Sequence, residues 1–255
     1  MRYDGFDLAG KVALITGASR GLGFEMGKAL AQCGALVLIN GRSAETVQTA
    51  VDKIWQMGGK AEPLVFDVAD YEEMEKALAH VQSHHGGLDI LINNVGIRDR
   101  RPLYDFSLER VKALLDINLV ASFELCRQAG KQMRPKRGGR IVNVSSIAAQ
   151  IARKGDALYA IAKGGMESMT RIMSSEFGAD NITVNSISPG FFATETNEGM
   201  VDDEDVAEWL KMRTALGRWA RPEEIAGAAV FLCSPAASYV SGHTLVVDGG
   251  YLSHF

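Results

Sequence analysis

The stretch KVALITGASRGLG, Lys11 to Gly23, decides the fold. Its first part is a short apolar run of strand length. Its second part places Gly17, Gly21 and Gly23 ahead of residues with helical patterning. A strand, a glycine turn and a helix in that order open a βαβ unit. Glycines let the backbone turn tightly and approach a ligand closely, and the first N–H groups of the helix attract an anion such as a pyrophosphate. The spacing is GxxxGxG, so the turn departs from the general GxGxxG dinucleotide pattern while keeping its physics.

Outward from that turn the chain alternates short apolar runs with helix-length amphipathic stretches. Strands are expected at Lys11–Gly17, Ala35–Asn40, Pro63–Asp67, Leu88–Asn94, Gly139–Ser146, Ile182–Gly190 and His243–Gly250. Helices are expected at Gly21–Cys33, Ser43–Met57 behind a serine cap, Asp70–His84, Ser107–Met133, Asp156–Phe177 and Pro222–Leu232. The strands are nearly continuous in apolar residues, as strands covered on both faces are. This pattern predicts an α/β fold: a doubly wound, Rossmann-type, seven-stranded parallel sheet with helices on both faces, in a single domain over 1–255. Phe191 to Arg221 breaks the alternation. It carries an acidic amphipathic helix near Asp202–Met212 and is expected to be a substrate lid.

Composition narrows the function classes. The chain has 255 residues, 23% of them charged, and a net charge of −4. No basic field points to nucleic acid, no apolar run is long enough for a bilayer, and the N-terminus lacks the pattern of a secretory leader. A cytoplasmic protein without nucleic-acid or membrane partners is expected. Cys33, Cys126 and Cys233 match no zinc spacing and are expected as buried reduced thiols. His80 and His84 have a helical metal spacing but no third ligand, so no metal is expected. The acidic run Asp202 to Asp205 is read as a helix start.

Proton chemistry is predicted around LYAIAKGG. Tyr159 and Lys163 stand at i and i+4, on one helix face, thirteen residues beyond Ser146. An ammonium beside a phenol favours the ionised phenol, which can then exchange a proton with an alcohol or carbonyl near neutral pH. At the end of the second strand the chain has Asn40, Gly41 and Arg42 where an acid would bind ribose hydroxyls. Arg42 and Arg20 can converge on a 2′-phosphate, so NADP(H) is the expected cofactor.

These residues resemble the short-chain dehydrogenase/reductase family over nearly the whole chain. The motifs are TGASRGLG, Asp67 in FDV, Asn93-Asn94-Val95-Gly96 (similar to NNAG), Asn118 in DINLV, Ser146 in NVSSI, Tyr159 with Lys163, Pro189-Gly190 with Thr194, and the terminal VDGG. The resemblance implies a catalytic tetrad of Asn118, Ser146, Tyr159 and Lys163. Tyr159 would be the acid in ketone reduction, Lys163 would lower its pKa and bind the nicotinamide ribose, and Ser146 would hold the substrate oxygen. Asn118 would position a water leading from Lys163 to solvent. It further implies cofactor contacts from Gly17, Ser19, Arg20, Gly21, Leu22, Gly23, Asn40, Arg42, Asp67, Val68, Asn94, Gly96, Tyr159, Lys163, Pro189, Gly190, Phe192 and Thr194. Asp67 would contact adenine, and the loop after Pro189-Gly190 the nicotinamide carboxamide.

Within the family, LINGRSAET, PGFFATE and EWLKMRTALGRWARPEEIAGAAVFL are similar to gluconate 5-dehydrogenases. The loop IRDRRPLYDF departs from their IQRR pattern, keeping Arg100 and adding Arg98 and Arg101. The segment IAAQIARKG has Ala148 and Ala149 next to Ile147, without the glutamine and serine that usually follow the catalytic serine there; its one glutamine is Gln150. The expected substrate is a polar keto acid such as 5-ketogluconate, held by Ser146 and Tyr159 with Arg100 or Arg101 on its carboxylate. The alternatives are a 3-oxoacyl-thioester reductase, a broad ketone reductase, or a non-catalytic NADP-binding regulator. A homotetramer, built on the two long helices and the C-terminal strand, is implied by the resemblance.

Overall fold

The computed structural model describes residues 4–136 and 138–254; Met1 to Tyr3, where the segment read as free of a leader begins, lie outside the described residues. Seven strands form one parallel sheet: β1 (Val12–Ile15), β2 (Leu36–Gly41), β3 (Lys60–Val65), β4 (Ile90–Asn93), β5 (Gly139–Val144), β6 (Ile182–Pro189) and β7 (Thr244–Val247). Their order is β3-β2-β1-β4-β5-β6-β7. The helices are α1 (Gly21–Gln32), α2 (Ala44–Gln56), α3 (Tyr71–His85), α4 (Leu108–Leu115), α5 (Ala121–Met133), α6 (Ala157–Phe177), α7 (Glu198–Val201), α8 (Glu204–Arg213) and α9 (Ala226–Cys233).

Strand periodicity sorts the core into two layers. Ala13 and Ile15 of β1 and Val37 and Ile39 of β2 face α1, α2 and α9, packing with Met26, Leu30, Val51, Ile54 and Leu232. Leu14 and Leu38 face the other way, into a layer with Leu78 and Val81 of α3, Leu125 and Met133 of α5, and Met166, Met169 and Met173 of α6. The inner strands β1, β4, β5 and β6 are buried on both sides, which is why their sequences read as nearly continuous apolar runs, whereas the edge strands β3 and β7 are partly exposed. The strand order reverses at β1, between β2 and β4. In such sheets ligands bind at this crevice, beyond the carboxyl ends of the strands.

Two elements differ from the sequence reading. The strand expected from Pro63 starts at Lys60, and Pro63 lies inside it, paired with Ile39. β3 is an edge strand, where a residue without an N–H is tolerated. The long helix expected over Ser107–Met133 is interrupted by a π-helical turn, Asp116–Val120, with buried Asn118 in it. The amide of Asn118 donates to Leu114 O at 2.9 Å, satisfying a carbonyl at the place where the α pattern is broken. Cys126 and Cys233 are buried thiols pushed up to about 12 by burial, whereas Cys33 is only half-buried.

Segment 191–221 leaves the end of β6 and returns through a bridge between Phe192 and Ala220. It holds α7 and α8. The acidic run starts α8 as read, with the Asp203 carboxylate accepting from Asp205 N and Val206 N. Phe191 packs edge-on against Trp209 and Trp219, with centroids 5.2 and 5.7 Å away, and Tyr251 completes the cluster.

Candidate active site

A cleft of about 950 Å³ lies over the carboxyl ends of the strands. The glycine turn forms one end of it. Gly17 and Gly21 have φ of +60° and +57°, a region that side chains with a Cβ rarely enter. A Cβ on Gly23 would stand 2.5 Å from Asn94 Nδ2 and 2.6 Å from Gly17 O, so only glycine fits where α1 crosses the turn. Asn94 fastens the loop: its amide donates to Thr16 O at 3.0 Å and Gly17 O at 3.1 Å. The start of α1 has no side-chain cap and no acid in its first turn. Its N–H groups are left for an anion, and this cradle fits the phosphates of a dinucleotide.

Gly17, Ser19, Arg20, Gly21, Leu22, Asn40, Arg42, Asp67, Val68, Asn94, Gly96, Pro189, Gly190, Phe192 and Thr194 all line the cleft. Gly23 does not; it packs behind the turn. Asn40 lines it with its side chain already engaged. Its amide donates to Leu64 O and Phe66 O, and its Oδ1 accepts from Gly17 N at 3.3 Å. The residue therefore ties β2, β3 and the glycine turn together. Arg42 is largely exposed, and its Nη1 is 3.8 Å from Asp67 Oδ2, a weak surface pairing.

The other end of the cleft holds Ser146, Tyr159 and Lys163. Ser146 follows β5, and Tyr159 and Lys163 come from the first two turns of α6. The Ser146 hydroxyl stands beside the Tyr159 phenol and accepts from Ala148 N at 3.1 Å. Ser145 faces α6 instead, with its Oγ 3.2 Å from Lys163 O and 3.1 Å from Glu167 Oε1. Lys163 is buried, and its Nζ donates to Val144 O at 2.6 Å. Burial, and then the charge of Arg98, push its pKa down to about 8. Burial also raises the Tyr159 phenol, opposed chiefly by the charge of Arg98 and then by the neighbouring Ser146 hydroxyl. The cation that acts most strongly on this phenol is thus Arg98. Lys163 Nζ is 5.7 Å from the ring centroid.

Asn118 does not line the cleft. Its Oδ1 accepts from Ile97 N at 2.8 Å, and its amide donates to Ile97 O at 3.0 Å. It orders the chain just after Gly96, where a Cβ would come within 3.2 Å of Lys163 Nζ and 3.5 Å of Asn118 Oδ1.

Arg101 does not take the role read from sequence, and Arg98, given none there, reaches the site. Arg101, expected at a substrate carboxylate, is turned away from the cleft and forked onto Asp99 at 2.8 and 2.7 Å, where Arg110 also binds. Arg98 lies over the Tyr159 ring with its guanidinium carbon 4.2 Å from the centroid. Arg100 lines the cleft as expected. Asp156, missed entirely, is buried with Oδ1 3.3 Å from Arg98 Nε and 3.5 Å from Arg100 Nε. Its position three residues before Tyr159, at the helix entry, was the available signal.

The buried ammonium has a thermodynamic signature. The unfolded chain holds the Lys163 proton up to about 10.5 and the folded protein only to about 8. Between those values the unfolded state binds more protons, so stability rises with pH and levels off above the window. The rise is expected to be of the order of 3 kcal/mol, measured as the unfolding free energy of the cofactor-free protein minus that of Lys163→Met. Parallel curves for the two proteins between pH 8 and 10.5 would contradict a desolvated ammonium.

Comparison with known proteins agrees with this geometry. Residues 17–252 match the family profile described as enoyl-(acyl carrier protein) reductase. A gluconate 5-dehydrogenase of Gluconobacter oxydans is 42% identical over 97% of this chain and 96% of its own. A gluconate 5-dehydrogenase of Burkholderia cenocepacia, solved with NADP and tartrate, superposes with a TM-score of 0.94 at 38% identity, covering 99% of each chain. A 3-oxoacyl-[acyl-carrier-protein] reductase of Vibrio cholerae is 36% identical over 96% of this chain and 98% of its own. With a seven-stranded sheet in this order, a glycine cradle at the β1 end and the Ser146–Tyr159–Lys163 array facing it, the chain belongs to the short-chain dehydrogenase/reductase family.

Proposed function

We propose that this protein is an NADP(H)-dependent oxidoreductase that interconverts a secondary alcohol and a ketone on a polar sugar acid, of the gluconate and 5-ketogluconate kind. The observation that carries the reading is one cleft with a phosphate cradle at one end and Ser146, Tyr159 and Lys163 gathered at the other. NADPH, when bound, supplies the hydride. Ser146 and Tyr159 hold the ketone oxygen, and Tyr159 gives it a proton as negative charge develops there. Lys163 stands below Tyr159 for the nicotinamide ribose and for proton resupply. Asn118 keeps Gly96 and Ile97 in place beside it. In the oxidative direction Tyr159 takes the proton back.

Support for NADP over NAD lies at the end of β2. No carboxylate there repels a 2′-phosphate, and the weak Arg42 contact with Asp67 is easily exchanged for a phosphate contact. Arg42→Ala is expected to raise KM for NADPH about tenfold and leave KM for NADH nearly unchanged. An unaltered ratio of the two would refute the assignment.

Support for a sugar acid comes from the relatives named gluconate 5-dehydrogenase and from Arg98, Arg100 and Arg153 on one wall. Arg100 is the partner we assign to the carboxylate. The opposite wall, with Phe191, Trp209, Met200 and Tyr251, suits an apolar substrate and favours a second reading, a 3-oxoacyl-thioester reductase. Rates with NADPH on 5-ketogluconate, a 3-oxoacyl thioester and an aryl ketone separate them. A kcat/KM at least tenfold higher for the thioester or the ketone would overturn the sugar-acid reading. We place segment 191–221 as the lid over this cleft.

The assembly we propose is a homotetramer. Met166, Met169 and Met173 of α6 are buried against the sheet, while Ile161 and Ile172 on its other side are 58% and 62% exposed. Val120 and Phe123, where α5 begins, are exposed too. A helix apolar on two sides needs two coverings. A monomer by sedimentation would contradict this. No helix among the described residues is long and apolar enough to cross a membrane, and a cytoplasmic location fits the reading.

A further inference from the structure

The loop after β4 brings Arg98 to a place that proton transfer by Tyr159 does not strictly require. Its guanidinium stacks 4.2 Å from the centre of the Tyr159 ring. What holds it there is Asp156, whose side chain is 3% exposed and whose Oδ1 lies 3.3 Å from Arg98 Nε. Asp156 occupies the cap position of α6 yet makes no side-chain cap bond to that helix. A buried carboxylate that ignores the N–H groups beside it is held by its charge partners, and these are Arg98 and Arg100. Asp156 and Tyr159 are at i and i+3 on α6, so anchor and ring belong to one rigid element.

We propose that Arg98, anchored on Asp156 and stacked on the Tyr159 ring, is a positioning residue for proton transfer: it fixes the plane of the phenol against Ser146 and supplies positive charge to its ionised form. The inference rests on the reading of Tyr159 as the proton carrier. A cation over an aromatic face is attracted to the ring, and the attraction grows when the ring carries a full negative charge. Burial works against ionisation of Tyr159, and Arg98 is the leading opposing charge. Lys163, one turn further along α6, is turned to Val144 O. The other charged groups near the phenol are Arg100 from the same loop and Asp156, which opposes ionisation. Arg153 acts on Arg98 from the loop before α6, and Glu195 and Asp205 reach the cleft from segment 191–221.

The test reads Tyr159 directly. Tyrosinate absorbance is titrated in the cofactor-free protein, and the curve of Tyr159→Phe is subtracted to isolate this one phenol. Arg98→Gln is expected to move its midpoint up by about one pH unit, and Arg98→Lys by less than half of that. In turnover, the acid limb of kcat for alcohol oxidation should move up by the same amount, with a smaller change in KM. A higher KM for a keto acid with an unmoved limb and an unmoved titration would overturn the proposal and make Arg98 a substrate-carboxylate ligand. Unchanged titration and unchanged kinetics would overturn it as well. Full activity in Tyr159→Phe would instead strike at the reading beneath it. Circular dichroism of both Arg98 variants checks that they fold.

Discussion

Tyr159→Phe is expected to cut kcat about a thousandfold, with Kd for NADPH changed by no more than about twofold. The phenol sits at the end of the cleft away from the glycine cradle, so the cradle's hold on the phosphates does not pass through it. What the variant loses is the hydroxyl that we propose as proton donor to the ketone oxygen, and its contact with Ser146. The ring itself remains, and with it the surface that Arg98 covers at 4.2 Å, so the wall of the site keeps its shape. Stopped-flow hydride transfer and fluorescence titration with NADPH separate the two quantities. Full turnover in the variant would end the assignment of Tyr159 as the acid.

Gly23→Ala is expected to weaken NADPH binding by tenfold or more and to lower Tm by several degrees. The new methyl would meet Gly17 O at 2.6 Å and Ala18 Cα at 3.0 Å, both backbone, besides the Asn94 amide. A flexible side chain can step aside, but the strand-to-helix turn cannot without opening. Opening it shifts Gly17 and Gly21, which line the cleft, and breaks the Asn94 bonds to Thr16 and Gly17. Isothermal titration with NADPH and a thermal melt measure both effects. Wild-type affinity in this variant would show that the turn has slack that the close packing denies.

The fold was legible because the inner strands are apolar runs and several helices carry a capping residue at their start. Ser43 caps α2, Asp70 caps α3 and Asp203 caps α8 through side-chain bonds that their residue types suggest. Boundaries failed where tertiary context overrode local pattern. Pro63 looks like the start of a strand but is admitted inside one because β3 has a neighbour on one side only. The π-helical turn at Asn118 leaves no periodic trace in the sequence. In the site, residues with a fixed backbone role were readable, namely the glycine turn and the Tyr159–Lys163 pair. The direction of a flexible arginine was not. Arg98, Arg100 and Arg101 are chemically alike in sequence, and their roles are decided by which carboxylate each reaches, Asp156 or Asp99.

The proline inside β3 has a consequence for how copies of this chain can meet. An open sheet border is a template onto which another chain can add a strand, and such growth is a route to fibrils. Lys60, Glu62 and Pro63 guard the β3 border with two charges and a missing donor. Sheet extension is therefore blocked at that margin, and any neighbour that approaches through hydrogen-bonded backbone has to arrive beside β7.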